Sequence, residues 1–214
     1  MSYRITRFIL WMTAFAAFHM AWTAHNTAAF TLNAFDLAEQ VSIHPGIRAE
    51  SPSLRTSLFL WSAMPIIAAG IALSAARFEE PYIRWGLYGL AALVSLRVMP
   101  PESALRSPGQ LMDSGHDRTL AILTLLGLAA VCLILILGKR IQRYDWQIEA
   151  GLCAAGVVLP LIGWERSLRL LDELQVDVSV GGGALIYMLV LLALVIMTRH
   201  DPGLRKSARV AVEN

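Results

Sequence analysis

His19, Thr23, Asn26 and Asn33 are the residues whose types and spacing invite chemistry, because they interrupt an otherwise apolar N-terminal stretch. At about 100° per residue they fall on one narrow stripe of a continuous helix, shared with Met12, Ala16 and Phe30. An unpaired polar group in hydrocarbon costs several kcal/mol, so this candidate polar intramembrane face must meet protein, water or a ligand. Three uses fit it. It can carry interhelical hydrogen bonds, each worth only about 0.6–2 kcal/mol; it can line a ligand or proton path; or it can meet another subunit. A structural role, inside the bundle or at a subunit contact, is the expectation.

Sharper chemistries find less to stand on. Haem would need a second intramembrane axial ligand beside His19. His25 is on the same predicted helix, about 240° away, and His44, His116 and His200 lie in loops or tails. His44 with Asp36 and Glu39, or His116 with Asp113 and Asp117, lack a ligand set with recognised metal spacing, and solvated loop charge accounts for both. Cys132 and Cys153 fall inside apolar stretches, in no CxxC or Cys/His pattern, and read as small packing residues. Glu149 and Arg97 sit near span ends, which leaves no acid at the depth an ion-coupled pump needs. No Walker loop, HExxH, GxSxG or GxGxxG context occurs. The sequence predicts no catalytic residue, no cofactor and no metal.

The elements that must position these residues are apolar helices. Six stretches, 7–30, 57–76, 82–98, 120–138, 148–164 and 181–198, approach the roughly 17–25 residues that cross hydrocarbon. The predicted fold is all-α: one membrane domain over 1–214, a polytopic helical bundle of about six transmembrane helices in three hairpins. Connections 77–84 and 139–143 share an excess of Lys and Arg with both termini, whereas the three longer loops carry an excess of acid. Lys and Arg favour the cytoplasmic side, which predicts N-in/C-in topology, here at the cell (plasma) membrane. Arg4 and Arg7 ahead of an apolar run also suit a signal sequence, but that run continues through Trp22 and favours a retained helix.

A hydrophobic share of 56% and a mean hydropathy of +0.55 exclude an ordinary soluble domain. The pI near 8.7 comes from basic residues scattered among helix ends, so nucleic acid is not an expected partner. Segments 33–43 and 165–176 mix apolar residues with acids and predict short interfacial helices, while 100–109 reads as irregular. Trp22, Trp61, Trp85, Trp146 and Trp164 lie near span ends and read as headgroup anchors. Small residues four apart predict helix packing at Ala17 and Ala21, at Ala68, Ala72 and Ala76, and at Gly151 and Ala155.

The expected function is therefore non-enzymatic: a multi-pass subunit of a larger membrane assembly, whose partners are the lipid bilayer and other membrane subunits. The alternative is a small-solute transport component with a small-molecule ligand. A chain of this length with six spans, both ends inside and Ala17-x-x-x-Ala21 on its first helix resembles the substrate-binding subunits of energy-coupling-factor vitamin transporters. An extracytoplasmic pocket lined by Trp, Asn and His would mark the transport component. A bundle without such a cavity, with a flat exposed apolar face, would mark the subunit.

Overall fold

The computed structural model describes residues 3–26, 31–106, 108–141 and 144–199. The predicted end of the first span at 27–30, Arg143 and the tail from His200 lie outside the described residues. Helix α1 (Tyr3–Phe18) ends well before that predicted boundary. The N–H groups of His19 and Met20 close on the carbonyls of Ala16 and Ala17, and the Trp22 indole donates to the Ala17 carbonyl at 3.1 Å. Carbonyls of the last turn that would continue the helix are thereby spent. The chain then runs extended. Strand β1 (Thr23–Ala24) pairs antiparallel with β2 (Ser179–Val180), and Ala21 bridges Asn33. Gly181 permits the crossing, because a Cβ there would stand 2.2 Å from the Ala21 carbonyl oxygen.

Asn33 caps α2 (Ala34–Ser42), its side chain accepting from the Asp36 N–H at 2.9 Å. This helix buries Leu37, Ala38 and Val41, as its amphipathic spacing predicts. His44 caps the short α3 (Pro45–Arg48). Helices α4 (Arg55–Trp61) and α5 (Ala63–Ala75) make one apolar rod interrupted at Ser62. Pro65 explains the break, since it offers no N–H to the Trp61 carbonyl and its ring crowds that oxygen. Helix α6 (Pro81–Leu96) starts on its proline. The loop expected to be irregular instead holds α7 (Glu102–Arg106) and α8 (Pro108–Asp113). Helices α9 (Gly115–Ile141), α10 (Asp145–Glu173) and α11 (Gly182–Arg199) complete the chain. The separate interfacial helix expected at 165–176 is corrected: α10 runs unbroken to Glu173, past Pro160, because no breaker stands at its outer end.

Four helices among the described residues are long and apolar enough to cross a membrane: Arg55–Ala75, Gly115–Gly138, Asp145–Glu173 and Gly182–Arg199. The other two expected spans correspond to α1 and α6, of 16 residues each. That length is about 24 Å, against roughly 30 Å of hydrocarbon.

Helix α5 lies at the centre, packed on α1, α6, α9 and α10, and buries nearly every side chain. Helix α9 contrasts with it: the mean hydropathy of 3.0 in its most apolar 18-residue segment is the highest of the four, yet only 33% of that segment is buried. Ile122, Leu125, Leu133 and Ile136 of α9 face outward, as do Leu185, Leu189, Leu192 and Ile196 of α11. Such a belt is costly in water and is what a lipid-facing surface requires.

Close helix approaches fall partly where small residues predict them. Ala17, Ala68 and Ala72 are buried, and Ala21 and Ala76 half-buried. Gly151 is exposed with open space around it and is corrected, whereas Ala155 is half-buried and packs against the core. The tight seam of α10 passes instead through Gly156 and Gly163, because α10 turns its Asp145–Glu149–Cys153 face inward. The anchor reading of the tryptophans is also corrected in part. Trp85 and Trp146 are exposed, but Trp22 and Trp61 are fully buried.

Candidate functional site

The most concentrated chemistry lies at the end of the bundle where α1 and α10 begin and α5 and α11 finish. Arg7, in the second turn of α1, is fully buried. Its Nη1 and Nη2 reach the two oxygens of Asp145 at 2.8 and 3.2 Å, and its Nε donates to Glu149 at 2.5 Å. Arg77, just beyond α5, also pairs with Asp145. Glu149 accepts in addition from the Trp11 indole at 3.1 Å and from the Thr198 hydroxyl at 2.5 Å. Two guanidinium groups thus face two carboxylates, and the cluster is formally neutral. Every carboxylate oxygen in it has a protein donor within hydrogen-bond distance, the single Thr198 proton being shared between Glu149 and the Leu194 carbonyl at 2.6 Å. Burying a charge without such partners would cost several kcal/mol, so the completeness of the set is what makes the burial tolerable.

Sequence reasoning left Glu149 among the span-end charges and Arg7 as a charge ahead of the first apolar run. A signal was present nonetheless. Asp145, Glu149, Cys153, Gly156, Pro160, Gly163 and Ser167 recur at steps of three and four, and all are buried on one face of α10. A face that carries both acids of the helix start together with its small residues cannot point to lipid.

The predicted polar stripe is corrected, because α1 stops at Phe18 and its four residues separate. His19 follows the helix end, its Nδ1 facing the Phe15 carbonyl at 3.0 Å and its ring against Phe15 and Phe18. Thr23 is buried in β1, where its hydroxyl accepts from the Leu32 N–H. Asn26 lies in the connection after β1, and Asn33 caps α2. No shared face remains. The structure instead collects Phe18, Trp22, Trp164 and Tyr187 into an aromatic cluster where α1 finishes and α11 begins, at the end opposite the ion cluster, with centroid separations of 5.4–6.4 Å.

Of the loop carboxylates and histidines, His44 has no ion pair or hydrogen bond with Asp36 or Glu39, while His116 keeps Asp117, its Nδ1 standing 3.3 Å from that carboxylate. His44 Nδ1 accepts from the Gly46 N–H, whereas His116 Nε2 meets Glu39 at 3.0 Å and its ring lies edge-on to Trp61. Among the described residues no group of three or more His, Cys, Asp or Glu side chains converges in a way that would hold a metal ion. Two recesses among the described residues are lined by charged side chains. One, of about 380 Å³, lies between α3 and the outer part of α10, lined by His44, Glu50, Thr56, Arg166 and Glu173. Glu50 is engaged there, accepting from the Thr56 N–H and hydroxyl at 2.8 and 2.6 Å. The other, of about 1310 Å³, opens beside the ion cluster and is lined by Arg4, Arg77, Arg84 and Arg140 with Trp85 and Tyr88. Comparison with protein families, with curated proteins and with solved structures gave no match for this chain.

Proposed function

We propose that this chain is a non-enzymatic multi-pass membrane protein that serves as a subunit of a larger membrane assembly. The ion cluster carries the reading. A group that binds substrate or relays an ion must offer a free coordination position, and here all four carboxylate oxygens of Asp145 and Glu149 are engaged by Arg7, Arg77, Trp11 and Thr198. Such a closed, neutral cluster acts as a clamp that holds α1, α10 and α11 and the end of α5 in one arrangement. The apolar belt on α9 and α11 supports a lipid environment and offers area for helix–helix contact with other subunits.

Within this reading the chain crosses the plasma membrane six times, in three hairpins, with both ends cytoplasmic. The gathering of Arg4, Arg77, Arg84 and Arg140 around one recess supports that end as the cytoplasmic one. The short α1 and α6 would then cross a locally thinned bilayer or be extended by flanking polar residues.

The runner-up is a small-solute transport component. The recess of about 380 Å³ favours it, since that volume falls within the ~300–1,000 Å³ of small-ligand pockets. Its lining is charged, without the Trp and Asn such a component is expected to present. Purification in mild detergent, with mass measurement of the intact particle, separates the two. A second membrane chain at fixed stoichiometry, photo-crosslinked from Leu189 on the belt, is the expected result. A lone chain that retains a small solute would overturn it in favour of the transport reading.

A further inference from the structure

We propose that the recess at the basic end binds the phosphate of an anionic phospholipid, seated between α6 and α9 with an acyl chain lying along α9. The inference rests on the reading of this chain as a membrane protein. Three observations carry it. First, the recess holds cationic capacity that the protein itself does not use. Arg4 is paired with Glu79 at 2.6 Å and Arg77 with Asp145, whereas Arg84 and Arg140 have no carboxylate partner among the described residues. Guanidinium groups match phosphate oxygens in pairs, which makes two uncommitted arginines a fitting headgroup receptor.

Second, the recess runs from its arginines onto an apolar surface of α9 that is open to the belt. Leu135 and Ile136 of α9 line the recess, Ile136 is 78% exposed, and Leu133 continues the same outward surface. A soluble anion would use only the arginine side of this site, and a zwitterionic lipid chiefly the apolar side. An anionic phospholipid uses both. Third, Trp85 stands at the mouth, 58% exposed and 6.2 Å from the Tyr88 ring, the position that amphipathic rings take at headgroup level. Basic pockets between helices at a membrane surface recognise phospholipid headgroups by this combination of charge and depth. At about 1310 Å³ the space also exceeds what inorganic phosphate needs.

The test uses the full chain reconstituted into equimolar phosphatidylglycerol and phosphatidylcholine, with retained lipid counted by native mass spectrometry. The wild type should retain phosphatidylglycerol preferentially. Arg84→Gln/Arg140→Gln should lose that preference by roughly thirtyfold, each charge near a membrane surface counting for about fivefold. Arg84→Lys/Arg140→Lys should keep most of it, and Arg106→Gln/Arg169→Gln, in the outer helices, all of it. An unchanged preference in the double Gln variant overturns the site, as does displacement of the lipid by inorganic phosphate, which would mark a free-anion site. Flotation with pure phosphatidylcholine vesicles tests the underlying reading separately. Wild-type protein that does not float removes the membrane assignment itself, while protein that floats without headgroup preference removes only the lipid site.

Discussion

Glu149 shows how a single side chain can set the behaviour of this bundle. It is fully buried, and three donors on two other helices satisfy it. Arg7→Met would leave Glu149 without its guanidinium and should cost about 3–5 kcal/mol, the usual penalty for breaking a buried pair from one side. Arg7→Met combined with Glu149→Leu leaves Arg77 facing Asp145, again neutral, and should be more stable than Arg7→Met alone. Thermal unfolding in detergent measures both variants, and additive losses would show that the cluster does not act as a unit. His19 is a contrasting case. Its Nδ1 meets only the Phe15 carbonyl within its own turn, and its Nε2 has no partner among the described residues. His19→Leu should therefore change stability by no more than about 1 kcal/mol. A transport assay normalised for folded protein should not respond, and a loss of activity with the fold intact would revive the polar-path reading.

Among the elements, α10 shows how a small residue sets a close helix approach. A Cβ on Gly163 would lie 2.9 Å from the Thr56 carbonyl oxygen and equally close to the Leu60 nitrogen. Both are backbone atoms, so Gly163→Ala must push α4 and α10 apart, at an expected cost of about 1–3 kcal/mol. Gly151 is on the same helix with nothing near it. There the substitution Gly151→Ala should be neutral or stabilise by up to about 1 kcal/mol, because alanine favours the helix. Unfolding in detergent gives the sign of each, and equal effects would remove the seam from the Gly163 face. On α5 the same logic sets Ala72→Leu, fully buried, against Leu192→Phe on the outer surface of α11. The first should lose about 1–3 kcal/mol by overpacking and the second almost nothing.

For the whole molecule, ion pairs and ring contacts collect the helix ends into two sets. Arg4 with Glu79 and Arg7 with Asp145 belong to one, and His116 with Glu39 and Arg97 over the Phe35 ring to the other. If the first end is cytoplasmic, single cysteines at Ser51, Ser103 and Gln175 should react with an impermeant maleimide in intact cells. One at Glu80 should react only after permeabilisation. These four positions are exposed, whereas Ser167 on the same outer side is buried and would be silent in either orientation. The background replaces Cys132 and Cys153. The opposite labelling pattern would invert the topology.

Sequence alone determined the class of this protein, because apolar blocks of membrane-crossing length and charges confined to their ends depend only on composition along the chain. It also placed α2 and the burial of Ala68 and Ala72, which follow from local spacing. The fate of His19, Thr23, Asn26 and Asn33 was beyond its reach. Their stripe assumes a continuous helix, and what ends that helix at Phe18 is the Trp22 indole on the Ala17 carbonyl with Gly181 and Gly183 crossing close by. The Trp22–Ala17 bond is local, but the Gly181 and Gly183 contacts with Trp22 and Ala21 join positions about 160 residues apart, which no local periodicity records. The ion cluster is of the same kind. Arg7 reads as a charge ahead of the first apolar run and Glu149 as a span-end charge, and only folding, which brings α1 against α10, turns them into one buried, neutral unit. Tertiary structure decided this because desolvation makes a charge choose a partner, and the partner lies elsewhere in the chain.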